Sequence, residues 1–216
     1  MAKELTEKHL RKEIVTICRR ISAMGYTCAT EGNISAKIND TKILITPTNT
    51  NKSLVREGDI ITVDKNGLQL SGNMKPSSEI ALHIKIYSIR RDVKAIVHAH
   101  PPIATALTVA GIRLDKPLLP EVIITLGSIP TARYATPTTK LLAESVKQLV
   151  KYNDAILLER HGSVTVGRTL QEAYENLERL EWAAKVTFAT LILGKPKHLS
   201  SQQIKELLKI RRHVFS

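Results

Sequence analysis

The chain has 216 residues, a length that suits one sizeable core, and 43% hydrophobic, 24% charged and 4% aromatic residues describe an aliphatic globular interior rather than a disordered chain. Its two cysteines, Cys18 and Cys28, are too few for a disulfide framework or a zinc knuckle and suit a reducing cytoplasm; no run approaches about 18 apolar residues, and the opening "MAKELTEKHLRKEIV" interleaves charge with its apolar positions, so neither a membrane span nor an export signal is expected. The formal charge of +12 is scattered over "EKHLRK", "IRRDVK" and "IRRH" with no aromatic-interleaved basic stripe, which argues against nucleic acid as the partner.

In chain order, Leu10, Ile14, Val15, Ile17 and Ile21 fall at helical spacing and predict a helix over residues 7–24, closed near Gly25. "NISAKI" and "KILITP" read as a hairpin around "NDT", and "IITVDKNGLQL" as a second, because Asn66-Gly67 is a strong two-residue turn signal. "PSSEIALHIKIYSIR" reads as a helix with Ile80, Ile84 and Tyr87 on one face and serines at its start. "AIVHAH" follows as a strand, "PPIATALTVAG" as a short helix, "VIITLG" as a strand and residues 138–151 as a helix. "AILLERHGSVTVG" reads as two strands about a turn at His161-Gly162. Thr169 with Glu172 forms a capping box ahead of a long amphipathic helix ending at Gly194, and "SSQQIKELLKI" is a last short helix. No repeat, low-complexity tract or linker interrupts the chain, so one domain over residues 1–216 is expected. Hairpins with helices grouped beside them suggest an α+β or three-layer α/β/α sandwich around a mostly antiparallel sheet.

Chemistry concentrates in a few places. His98 and His100 stand two apart on a strand and so share a face, which is a metal-ligand arrangement; two half-buried histidines hydrogen-bonded in a sheet are the competing explanation. His161 precedes a glycine that lets the backbone pass close; a polar residue there is usually just a turn residue, and a third metal ligand is the sharper alternative. Glu79 falls at a helix start, where an acid is favoured by the helix dipole, and where a carboxylate could also ligate a metal or move protons. Ser77 and Ser78 beside it are caps or an anion site. "TEGNIS" (residues 30–35) and "ITPTN" (residues 45–49) are turn-forming stretches whose small residues and hydroxyls could also cradle a phosphate.

Taken in order, "TEGNIS", "LITPTN", "KPSSE", "IVHAHP" and "LERHG" resemble the class II, zinc-dependent aldolase family that includes fuculose 1-phosphate aldolase and ribulose 5-phosphate 4-epimerase, over roughly residues 10–205. The resemblance implies an α/β/α sandwich, a homotetramer, and Zn2+ or another divalent ion on His98, His100 and His161, with Glu79 as ligand or acid/base. It places the phosphate of a small sugar against Gly32, Asn33, Thr48, Asn49, Ser77 and Ser78. The implied reaction is reversible cleavage of a ketose 1-phosphate, such as L-fuculose 1-phosphate, to dihydroxyacetone phosphate and an aldehyde, with the metal as electron sink and no Schiff-base lysine.

Two stretches depart from that pattern. "KPLLPEVIITLG" lacks a tyrosine expected in the central region and offers Glu121 as a second acid/base, and "LLKIRRHVFS" lacks one in the tail. Alternatives on the same resemblance are a pentulose-phosphate 4-epimerase, a methylthioribulose 1-phosphate dehydratase using a glutamate near Glu121, and a non-catalytic adducin-like binding domain. Glu79 speaks against the first two, and Glu79 with the three histidines against the last.

Overall fold

The computed structural model describes residues 6–116 and 118–214; residues 1–5 of the opening segment read for a leader, residue 117 and the tail residues 215–216 lie outside the described residues. The elements in chain order are α1 (Glu7–Ala23), β1 (Asn33–Lys37), β2 (Lys42–Ile45), β3 (Ile61–Asp64), β4 (Gln69–Ser71), α2 (Ile80–Ile89), β5 (Ala95–Ala99) and α3 (Pro102–Val109). They continue with α4 (Pro120–Thr125), β6 (Thr131–Ala132), α5 (Lys140–Ser145), β7 (Ala155–Leu158), β8 (Gly162–Gly167), α6 (Leu170–Leu193) and α7 (Ser201–Val214), with one 3₁₀ turn at Glu57–Asp59. Among the described residues no helix is long and apolar enough to cross a membrane.

The eight strands form one sheet in the order β4-β3-β2-β1-β5-β8-β7-β6, antiparallel throughout except for the parallel pair β6 and β7. Strand β5 lies at its centre between β1 and β8, with His98 opposite Asn33 on one side and Val164 on the other. Both faces of β5 are covered, so its alternation separates two apolar layers rather than core from solvent. Ala95, Val97 and Ala99 pack with α1 and α6, while Ile96 packs with α2 and α5. His98, in phase with Ile96, therefore faces the α2 layer. On β1 the same alternation sends Ile34 and Ala36 to the α1 layer and leaves Asn33 and Ser35 to face α2.

The hairpins about "NDT" and Asn66-Gly67, the opening helix and the long helix α6 form as their patterns predict. Thr169 Oγ1 accepts the Glu172 N–H at 3.1 Å, but the Glu172 carboxylate accepts from Arg168 N at 2.6 Å, so the return arm of the expected capping box reaches one residue before the cap. "VIITLG", expected as a strand, is the helix α4 and its end. Pro120 supplies a preset first helical φ, the amides of Leu126 and Gly127 close back on Val122, and Arg211 of α7 donates to the carbonyls of Ile124 and Thr125. Tertiary capping outweighs the strand preference of a short β-branched run. The helix expected over residues 138–151 is regular only at Lys140–Ser145, and β6 has no counterpart in the sequence-based expectation.

Candidate active site

Two turns carry the histidines to one point. His98 is the fourth residue of β5 and fully buried; His100 stands just past the strand, its N–H donating to Tyr26 O at 2.8 Å. Pro101 and Pro102 end the ladder there, and Pro102 opens α3, whose first amides, those of Ile103 and Ala104, donate to the buried Glu181 carboxylate at 3.1 and 2.9 Å. His161 closes the turn between β7 and β8, in which Arg160 takes a positive φ of 57° and its N–H donates to Thr108 Oγ1. Gly162 does not supply the left-handed residue. A Cβ there would lie 2.5 Å from Ala99 O and 2.7 Å from His100 Cδ2, so glycine is required for the two histidine segments to touch.

The three imidazoles stand edge to face with centroids 4.8 to 4.9 Å apart, and their ligand nitrogens all lie within 4.8 Å of one another. His98 Nδ1 donates to Ser163 O at 2.8 Å, since a carbonyl can only accept, and this leaves Nε2 facing the site. That Nε2 is 3.1 Å from His100 Nε2 and 3.1 Å from Glu79 Oε2. Ligands held at 2.0 to 2.1 Å in a tetrahedron sit about 3.3 Å apart, so the spacing of the two nitrogens suits one small divalent ion. The buried atoms His161 Nδ1 and Glu79 Oε1 have no hydrogen-bond partner. Two bare atoms around a knot of imidazoles fit a site completed by a cation and substrate.

Electrostatics agree. Burial pushes His100 down to about 3, helped by repulsion from His98 and His161, and pushes His161 down to about 4, helped by His98, so both are neutral at physiological pH, as ligands must be. Burial acts to raise Glu79, but attraction to His98, hydrogen bonds with His98 and Asn33 and attraction to His161 outweigh it and hold the carboxyl well below its usual range. Glu79 is thus a carboxylate, placed at the N-cap of α2 with its N–H donating to Ser77 Oγ at 3.3 Å.

Above this group opens a cleft of about 360 Å³. Gly32, Asn33, Thr48, Asn49, Ser77, Ser78, Glu79, His100 and His161 all line it, with His98 buried beneath. The loops converge because Thr46 O accepts from Ser77 N, Lys75 O accepts from Thr48 N, and Pro47 and Pro76 form an isolated bridge. Gly32 has φ of 77°, and a Cβ there would meet His98 O at 2.9 Å. Buried Lys52 donates to Thr30 O and Thr50 O at 2.8 Å each, tying the two rim loops together. Glu121 stands apart: it is exposed in the first turn of α4 and does not line the cleft.

Several residues of the site escape the motif reading. Thr138 reaches the rim with φ of 66°, a strained backbone for a β-branched residue. Behind the cleft, Asn33 Nδ2 donates to Glu79 Oε2 at 2.9 Å, and His83, Ser35 and Tyr87 continue the hydrogen-bonded row into the interior. The available signal was spacing: Glu79, His83 and Tyr87 recur every four residues, while Asn33 and Ser35 are two apart.

Comparison with known proteins agrees with this geometry. A family model described as "Class II Aldolase and Adducin N-terminal domain" matches residues 12–188. The chain is 35% identical over 207 residues to a 3-oxo-tetronate 4-phosphate decarboxylase of Escherichia coli (strain K12), covering 93% of this chain and 96% of that protein. It is 36% identical over 185 residues to an L-fuculose phosphate aldolase of Methanocaldococcus jannaschii, covering 86% and 99%. A solved structure of L-fuculose 1-phosphate aldolase superposes with a TM-score of 0.87 at 26% identity, covering 96% of this chain and 98% of that one. Motif order, site geometry and these likenesses coincide, and the chain belongs to the class II aldolase and adducin N-terminal domain family.

Proposed function

We propose that this chain is a metal-dependent lyase that holds zinc on His98, His100 and His161 and cleaves a small ketose 1-phosphate, such as L-fuculose 1-phosphate, to dihydroxyacetone phosphate and an aldehyde. The observation that carries the reading is the convergence of three imidazoles and the Glu79 carboxylate on the floor of a polar cleft. When bound, the ion polarises the substrate carbonyl and accepts the charge that develops beside it. The rim residues Gly32, Asn49, Thr48, Ser77 and Ser78 hold the phosphate near the N-terminus of α2, where amides and hydroxyls favour an anion. Glu79, already ionised, takes the proton of the C4 hydroxyl as the C3–C4 bond breaks, and returns it to C3 of the departing three-carbon fragment. Four copies of the chain are proposed to associate, as the sequence resemblance implies.

A second reading is decarboxylation of a 3-oxo sugar-acid phosphate. The central segment "KPLLPEVIITLG" has no tyrosine to handle an aldehyde oxygen, and a fragment leaving as carbon dioxide has no hydroxyl proton to remove. The named reaction of the Escherichia coli relative is of this kind.

One experiment separates them: metal-loaded protein is supplied with a panel of ketose 1-phosphates and with a 3-oxo-tetronate 4-phosphate, while dihydroxyacetone phosphate and carbon dioxide are followed. Glu79→Gln should lower kcat of the aldol reaction at least 100-fold with metal content unchanged. A wild-type protein that carries a stoichiometric divalent ion and releases neither product sinks both readings.

A further inference from the structure

Behind Glu79 runs a closed row of polar side chains that no cleft or loop requires. Glu79, Asn33, His83, Ser35 and Tyr87 are all buried, His83 and Ser35 completely, in the seam between β1 and α2. Direction can be assigned at every link. An ionised Glu79 only accepts, so the group 2.9 Å from Oε2 is the Asn33 amide nitrogen, donating. Asn33 Oδ1 then faces His83 Nε2 at 2.5 Å and can only accept, so Nε2 carries the ring proton. Nδ1 of the neutral ring is left bare and accepts from Ser35 Oγ at 2.6 Å, and Ser35, its proton spent, accepts from Tyr87 Oη at 2.8 Å.

We propose that His83 is a positioning residue for the reaction. By donating to Asn33 Oδ1 it prevents the amide from turning, so that Asn33 always presents its N–H, and never its carbonyl, to Glu79. A turned amide would set a carbonyl oxygen against a carboxylate oxygen in a buried site, and the carboxylate would swing away. Oε2 is the oxygen held by the Asn33 N–H. Oε1, which has no hydrogen-bond partner and stands 3.5 Å from His161 Nε2, is the atom free to carry the substrate proton. His83 therefore decides which carboxylate oxygen works, without touching substrate or metal.

The row is built by two matched repeats. Four residues of helix advance about 6 Å, and two residues of strand about 6.6 Å. Glu79, His83 and Tyr87 on α2 thus interleave with Asn33 and Ser35 on β1, each strand residue meeting two helix residues. A histidine kept only for packing would not need donors and acceptors in this order.

The inference rests on the proton-moving role proposed for Glu79, and its test is arranged to fail separately from that role. His83→Phe keeps a flat ring without a donor; His83→Gln keeps an N–H in place of Nε2–H. In the metal-loaded enzyme, His83→Phe is expected to lower kcat at least tenfold with KM within about twofold and metal content unchanged, and His83→Gln to return kcat to within about threefold of wild type. A folded, metal-loaded His83→Phe with wild-type kcat overturns the proposal, as does a His83→Gln that falls equally far. Nitrogen NMR of the wild-type protein decides the matter independently of activity and of any variant: His83 is expected as the Nε2–H tautomer with slowly exchanging Asn33 side-chain amide protons. The Nδ1–H tautomer, or a freely exchanging Asn33 amide, overturns it even where the substrate reading holds.

Discussion

Single residues of the site carry their charge states as a consequence of burial, and this makes acid the natural stress. Desolvation, helped by the neighbouring His98, pushes His83 down to about 3 from an ordinary 6.5. Between those values the unfolded chain binds a proton that the folded chain refuses, so the stability that is complete above 6.5 is lost as pH falls toward 3. His100 and His161 act with the same sign, and the lowered Glu79 adds a loss at lower pH still. The urea midpoint of the metal-free protein is expected to be lower at pH 5 than at pH 7, and His83→Gln to shrink that difference. A midpoint that is flat or rises on acidification would show that these groups are not buried in their neutral forms.

Elements show what could be read from the chain and what could not. His98 and His100 were legible because a period of two on a strand fixes a face, and Glu79 because helix starts are legible. His161 needed the resemblance, since a polar residue before glycine is ordinarily only a turn. The glycine after His161 reads as a place of close approach, and the structure gives the reason in atoms: Ala99 O and His100 Cδ2 occupy the space of the missing Gly162 side chain. Gly162→Ala is therefore expected to destabilise the fold by about 1–3 kcal/mol, in the range of overpacked interiors, and to weaken metal binding at least tenfold. Urea melts and chelator competition read the two effects, and unchanged metal affinity would mean that the turn and the His100 segment can part without disturbing the ligands. By contrast, α4 escapes a local reading because part of its cap comes from α7, more than eighty residues away, and β6 is invisible because two residues hold no period.

For the molecule as a whole, the three imidazoles that could hold a metal come from one chain, with the Glu79 carboxylate beside two of them. Association does have a candidate surface: Trp182, Phe188, Ile192 and Leu193 of α6 are exposed, the last at 88%. Light scattering is expected to give four times the 24.0 kDa chain mass, and a monomer at micromolar concentration would refute the proposed tetramer. The layered architecture was legible because hairpins and amphipathic helices are local patterns. The second buried face of β1 was not, because "NISAK" looks like an ordinary half-exposed strand with a polar side.

That polar side also guards against mispairing. A slip of β1 by one residue would turn Asn33 and Ser35 into the aliphatic layer under α1 and present Ile34 and Ala36 to His83 and Tyr87. Several buried donors and acceptors would then be stranded at once, each costing about 1–3 kcal/mol. The row of hydrogen bonds that aims one carboxylate therefore also serves as a gauge of strand alignment, and a chain that has closed its central sheet in the wrong register has no low-energy way to stay there.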